Sequence, residues 1–349
     1  MFLNDDEHMI VMNTNAEAKA YNMPWIDLTT DDLRRLREEC GITVAHEYLY
    51  WNTIEKGKGQ YDWGLADRQV KRCLDAGMRL IICSPASVPA GLEKAWYCAH
   101  FNGAPYKQIL SFWNPAAREY QRDFLRTLIQ RYGSSDVTIM HTGFLGEYYL
   151  WNDPVYYDVA ARADFKQKYG TDLPNNRGKM VLSPQVEEWL SQGVVDHYLA
   201  MNEITVGQHG EVWDATQAGI AAQSPNNGVY ARSAVMAAYK EHFPDADRFL
   251  LQYTYWAHGP GNAIGVDALL EEHDFQMIVE AEYCRGLKAL DLNTATEAIK
   301  GGIHHKNPAR WRGMVICPLH PMGGDNKTLE PWMMDGMKRA VKTWRTRGS

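Results

Sequence analysis

Short apolar runs and longer amphipathic stretches alternate from one end of the chain to the other. His8–Asn13 (HMIVMN) reads as the first strand. Thr29 or Thr30 then caps a helix whose first turn holds Asp31 and Asp32, where carboxylates meet the positive end of the helix dipole. That helix runs to Cys40 and stops at Gly41, the residue a left-handed C-terminal cap favours. Ile42–Trp51 reads as strand two and Asp62–Ala76 as helix two, ended by Gly77. Arg79–Ser84 is strand three, and Pro85 and Pro89 mark the loop after it. Asn114-Pro115 opens a long amphipathic helix that ends near Gly133; Asn caps, and Pro suits the first helical position. Val137–Thr142 reads as strand four, continued by an aromatic-rich loop through Gly143–Trp151. Asp158–Tyr169 and Pro184–Val206 read as helices inserted before strand five at Glu211–Ala215. Helix Asn226–Phe243, strand six Arg248–Tyr255, a short helix Val266–His273 and strand seven Gln276–Glu282 follow. Thr294–Gly301 begins a further helix, Gly313–Leu319 is strand eight, and Glu330–Arg345 is the last helix.

Eight successive strand–helix units predict an α/β fold built on a parallel sheet with crossover helices. The count suits a closed (β/α)8 TIM barrel with a helical insertion after strand four. An open doubly wound sheet is the alternative, but no Gly-rich phosphate loop follows the first strand. The chain has no Pro/Ser-rich linker and no low-complexity block, so residues 1–349 are expected to form one barrel domain.

Composition narrows the function. The net charge of -7 argues against a nucleic-acid or membrane-surface binder, which needs a basic face. No apolar run approaches the ~18 residues of a membrane span. Twelve Trp and nineteen Tyr are many for one domain, and such side chains offer sugars a flat apolar platform with a polar tip. The six cysteines show no CxxC pair and are expected to be reduced, buried thiols, which favours a reducing compartment. The opening MFLNDDEHMIVMN has neither a basic n-region nor a long apolar run, so a cytoplasmic setting without a signal peptide is the expectation. His304 and His305 are adjacent, so their side chains diverge, and no metal or cofactor is expected. No GxSxG nucleophile elbow occurs.

In a barrel enzyme the reacting groups stand at the C-terminal ends of the strands. Acids and aromatics concentrate at those ends in this chain. Strand two ends at His46-Glu47-Tyr48-Leu49-Tyr50-Trp51, and strand four leads to Gly146-Glu147. Strand six ends at Tyr253-Thr254-Tyr255-Trp256, strand seven at Glu280-Ala281-Glu282, and strand eight at His320. Glycoside hydrolysis needs two carboxyls flanking the scissile bond. Glu147 can face Glu280 or Glu282 across a barrel mouth, and the latter two share one strand face. Asn13, His46, Glu47, His141 and His320 are candidates for binding sugar hydroxyls. Trp51, Trp151 and Trp256 are candidates for stacking on sugar rings. Tyr253 or Tyr255 is a candidate for hydrogen-bonding the nucleophile and keeping it ionised.

The run from Trp51 through Glu55, Gly59, Tyr61, Asp62 and Trp63 to Asp67 resembles the stretch after strand two of clan A glycoside hydrolases, with Lys56 where the clan often has Pro. The segment from Ala163 through Phe165, Lys168, Tyr169 and Gly170 to Leu173 resembles the helix and turn after strand four in family 42 β-galactosidases. The clan resemblance implies an acid/base glutamate at the end of strand four and a nucleophile at the end of strand seven. By position those roles fall on Glu147 and on Glu280 or Glu282. One departure is Gly146, where the clan usually has Asn. A Gly-Glu pair on strand four and a Gly-x-Tyr-Asp-Trp stretch also resemble the inverting β-amylases.

The expectation is therefore a retaining β-glycosidase acting on an oligosaccharide or polysaccharide, with Glu280 preferred as nucleophile because it directly follows the apolar run Met277-Ile278-Val279. The alternatives are an inverting glycosidase, a catalytically silent glycan-binding barrel, and a sugar lyase or isomerase. The insertion from Asp158 to Gly210 either walls the cleft or mediates a homo-oligomer.

Overall fold

The computed structural model of the chain describes residues 2–3, 9–13, 28–86, 88–141, 155–175, 183–214, 228–255, 264–281, 310–316, 329 and 331–346. Along the chain, β1 (Met9–Asn13) and α1 (Thr30–Arg35) lead to β2 (Val44–Tyr50). A single helical turn, α2 (Trp51–Ile54), and a hairpin of β3 (Glu55–Gly57) and β4 (Gln60–Tyr61) precede α3 (Gly64–Asp75). After β5 (Arg79–Ala86) a second hairpin, β6 (Tyr97–Ala99) and β7 (Pro105–Leu110), precedes α4 (Pro115–Tyr132) and β8 (Val137–His141). Two helices, α5 (Val159–Tyr169) and α6 (Pro184–Thr205), come before β9 (Glu211–Asp214). The remainder alternates α7 (Gly228–His242), β10 (Arg248–Tyr255), α8 (Ile264–His273), β11 (Gln276–Ala281), β12 (Trp311–Ile316) and α9 (Pro331–Arg345).

Helix ends form where the capping residues stand. Thr29 and Asp32 cap each other reciprocally: the Asp32 amide donates to Thr29 Oγ1 at 3.1 Å, and the Thr29 amide donates to the Asp32 carboxylate at 3.0 Å. After a wider π turn over Leu36–Cys40, Gly41 ends this helix at φ 73°, a left-handed conformation that suits glycine. Asn114 caps α4 ahead of Pro115, Asp158 caps α5, and Ser183 caps α6 ahead of Pro184.

Eight strands form one all-parallel sheet in the order β8-β5-β2-β1-β12-β11-β10-β9. The first and last strands of the chain pair with each other, Met9 with Met314 and Val11 with Ile316. This is the α/β sheet that the alternating pattern predicts, and the insertion before β9 is helical. The expected closed barrel is not evident: among the described residues no backbone ladder joins β8 to β9. Side chains span that seam. The Gln208 amide donates to Ile139 O at 2.8 Å and accepts from Ile139 N at 3.0 Å, as the peptide group of a neighbouring strand would. His209 Nε2 lies 3.2 Å from Val137 O. At the same strand starts, buried Phe2 receives Arg79 of β5 on its carbonyl and donates its amide to Glu211 of β9 at 3.2 Å.

Replacing Gln208 by Ala should therefore lower stability by about 2 kcal/mol, because a buried strand loses partners for both its N–H and its C=O. Urea unfolding checks this. A loss under about 0.5 kcal/mol, the lower end for one net hydrogen bond, would show that the amide does not bridge the seam.

Elsewhere the core is helix on sheet. Val70 and Cys73 of α3, Phe124 and Leu128 of α4, Trp189 and Leu190 of α6, and Met236 and Tyr239 of α7 are all buried. Two features differ from the sequence expectation. Trp51 begins a helical turn instead of ending strand two, and both hairpins lie in stretches without an alternating pattern. The first turns at Gly59, φ 76°, whose amide donates to Glu55 at 2.5 Å. The predicted helix at Thr294–Gly301 lies outside the described residues. No described helix is long and apolar enough to cross a membrane.

Candidate active site

Because the sheet is parallel, the C-terminal ends of its strands share one edge. Asn13 ends β1, Tyr50 ends β2, His141 ends β8, Tyr255 ends β10, and Glu280 stands one residue before the end of β11. The chemistry available at that edge depends on which face of the sheet each side chain takes.

On β2 the pleat separates two rows. The Glu47 carboxylate accepts from Arg72 at 3.1 Å, Gln69 at 3.4 Å and the Cys73 thiol at 3.3 Å, all on α3. Glu47 therefore points outward, into the helix layer, where it is fully buried against a partly buried arginine. Successive strand residues alternate faces, so His46 and Tyr48 point inward, away from the helices. Register pairs His46 with Ile81 and Tyr48 with Cys83. The His46 Nε2 to Cys83 Sγ distance of 2.6 Å fits that shared inner face.

His141 lies on the outer face, in register with Ser84. Its Nε2 is 3.1 Å from the amide nitrogen of Gln121 on α4, which makes the ring nitrogen the acceptor. Its ring meets His197 and Tyr198 of α6 edge-on at 5.3 and 5.4 Å. Burial pushes its pKa down to about 3, so the imidazole is neutral.

Trp51 is buried outside the sheet as well. Its indole stacks on Phe124 of α4 at 4.6 Å and donates to Glu55 at 2.6 Å. Glu55 also accepts from Tyr120 Oη at 2.5 Å, and burial followed by this carboxylate raises the Tyr120 pKa. Tyr61 packs on Trp63, and Asp67 accepts from Arg131 at 2.6 Å and from Tyr132 at 2.7 Å. The whole stretch from Trp51 to Asp67, which carries the family resemblance, thus forms a packed corner that ties the exit of β2 to α4. Glu47, His141 and Trp51 are engaged in the helix layer and are not brought together with the inner-face residues.

A direct consequence is that Trp51→Phe should lower stability by about 1–3 kcal/mol, the cost of removing a donor from a buried carboxylate. It should leave KM for any substrate unchanged. A KM rise without loss of stability would restore Trp51 to a sugar-stacking role.

Glu280 stands in register with Thr254 of β10 and Val315 of β12. Tyr253 and Tyr255 stand in register with Val279 and Ala281, and Asn13 with Glu47. These four candidates are placed by backbone register only. Glu147, Glu282, Trp151, Trp256 and His320 lie outside the described residues. Among the described residues no three His, Cys, Asp or Glu side chains converge as a metal-binding group. The sequence does not mark Tyr48 and Cys83 as inner-face residues, because β2 and β5 are buried on both faces and their apolar pattern does not show which row points inward.

No protein-family model matches the chain. Its fold is similar to that of a GH30 endoxylanase from Clostridium papyrosolvens C71, with a TM-score of 0.53 over 98% of this chain and 72% of that chain, at 10% identity. It is also similar to the β-glycosidase BGL167, with a TM-score of 0.51 over 98% of both chains, at 12% identity. The chain has a glycoside-hydrolase-like fold.

Proposed function

We propose that this protein is a glycoside hydrolase that cleaves β-glycosidic bonds with two glutamates at the C-terminal edge of a closed (β/α)8 barrel. The observation that carries the reading is the all-parallel sheet itself. It brings eight strand ends to one edge, β11 with Glu280 as its penultimate residue among them, and it is similar to the folds of two proteins named as sugar-cleaving enzymes. Closure is supported by the pairing of the first and last strands and by the Gln208 bridge across the remaining seam.

In this reading Glu147 protonates the leaving oxygen while Glu280 attacks the anomeric carbon, and Glu147 then activates water to release the sugar. Glu282 is the alternative nucleophile. Retention requires the two carboxyls ~5–5.5 Å apart, whereas inversion requires ~6.5–9.5 Å. The fold likeness makes xylan and aryl β-glycosides the first substrates to test. Hydrolysis of at least one, with product anomers read by NMR as they form, is the expected result. No hydrolysis across aryl glycosides and polysaccharides would overturn the proposal.

A further inference from the structure

Four strands begin around one residue that belongs to none of them. Phe2 is fully buried, as is Leu3 beside it. The Phe2 amide donates to Glu211 Oε1, at the start of β9, at 3.2 Å, and the Phe2 carbonyl accepts from Arg79, at the start of β5. The same guanidinium lies over the Phe2 ring, 4.3 Å from its centroid. The ring also meets that of His209 at 5.2 Å, and His209 in turn reaches Val137 O at the start of β8. Glu211 Oε1 lies 3.8 Å from Arg248 Nε, at the start of β10, in a buried ion pair.

These contacts straddle the line along which, among the described residues, the sheet has no backbone ladder. Only the side chains of Gln208 and His209 carry polar contacts from β8 across to the residues that lead into β9. In the strand order β5 and β8 stand at one end, and β9 and β10 at the other. Phe2 is bonded to both ends at once, to Arg79 at one and to Glu211 at the other. A buried peptide group that loses its partners is costly, so its N–H, its C=O and its ring are held or released together. Local openings cost less than global unfolding and begin where the structure is least tied.

We propose that Phe2 is a latch on this seam: seated, it holds the β5–β8 and β9–β10 pairs together at their starts, and its release opens the seam while the rest of the sheet stays folded. The latch is a property of the fold and does not depend on the glycoside hydrolase reading above.

Amide hydrogen exchange of the full chain in low urea tests it. The reporter is the Ile139 amide, which donates across the seam to Gln208, and the reference is the β1–β12 ladder in the middle of the strand order. In the wild type the Ile139 amide should exchange through an opening that depends weakly on urea, while the ladder exchanges only with global unfolding and its steep urea dependence. Phe2→Ala should speed the Ile139 exchange about 100-fold, from the lower end of the cost of losing a buried phenyl ring. Phe2→Leu keeps an apolar side chain but loses the ring under the guanidinium. It should speed the exchange about 5-fold, and it carries the test where the alanine variant does not fold. An Ile139 amide that exchanges only with global unfolding overturns the proposal. So does a local opening that neither variant speeds by more than about 2-fold, the least that the lost guanidinium–ring contact would give.

Discussion

Glu147→Gln is expected to lower kcat/KM by about 10³-fold on a glycoside with a poor leaving group, in the range that general acid–base catalysis contributes. The loss should shrink on a dinitrophenyl glycoside, whose leaving oxygen departs without a proton. The nucleophile variant should behave differently. Glu280→Gln is expected to lose activity on both substrates, because the bond to the anomeric carbon must form whichever leaving group departs in the same step. If Glu282 holds that role, Glu282→Gln shows this pattern and Glu280→Gln does not. The geometry favours Glu280 in one respect. It lies within β11, in register with Thr254 and Val315, so its backbone is held on both sides. A reacting carboxylate works best on a rigid element, where its position is reproducible. Full activity in all three variants, on a substrate the wild type cleaves, would remove the two-glutamate mechanism from this chain.

The sheet was legible because period and punctuation agree along most of the sequence. Arg248–Tyr255 reads as a strand and is one, with the same bounds. Asn114-Pro115 announces a helix that begins there, and the helix read from Pro184 begins at that residue. The packed corner after β2 was legible as a motif but not as a role. Trp51 looks like a stacking residue in one dimension, and only the positions of Phe124 and Glu55 show its indole engaged in the helix layer. The facing of β2 was not legible at all. In VAHEYLY both rows are buried, so no alternation of polar and apolar residues distinguishes inward from outward. His46 and Glu47 are equally plausible in sequence, and the Arg72 contact 25 positions away separates them. Gln208 gives no sequence signal either. An amide that stands in for a strand peptide is recognised only once Ile139 lies opposite it.

The second large effect expected is acid destabilisation centred on His141 and His197. Both rings are buried between β8 and α6, and among the described residues neither nitrogen of His197 has a hydrogen-bond partner. His197 stacks on Phe112 at 4.0 Å and meets His141 at 5.3 Å. Burial, then His141 and Arg118, holds its pKa well below the usual value, and burial holds that of His141 near 3. Both imidazoles are thus neutral in the folded chain, while in the unfolded chain they take up protons below about pH 6.5. A depressed histidine pKa means that the unfolded state binds more protons as pH falls. The contribution is complete above about pH 6.5 and is lost progressively toward the folded pKa values. Each histidine contributes a slope of about 1.4 kcal/mol per pH unit in that window, so the pair reaches about 2.7 kcal/mol per unit. His197→Phe keeps an aromatic ring against Phe112 and removes one of the two. Its stability relative to wild type should therefore improve by about 1.4 kcal/mol for each pH unit below 6, read from urea unfolding between pH 7 and about pH 4.5. Carboxylates lowered by surface ion pairs, such as Asp67 and Asp274, titrate alike in both proteins and cancel in the difference. A stability difference that stays constant across that range would show that His197 does not resist protonation. The strand end that leads toward Glu147 would then owe its acid sensitivity to some other group.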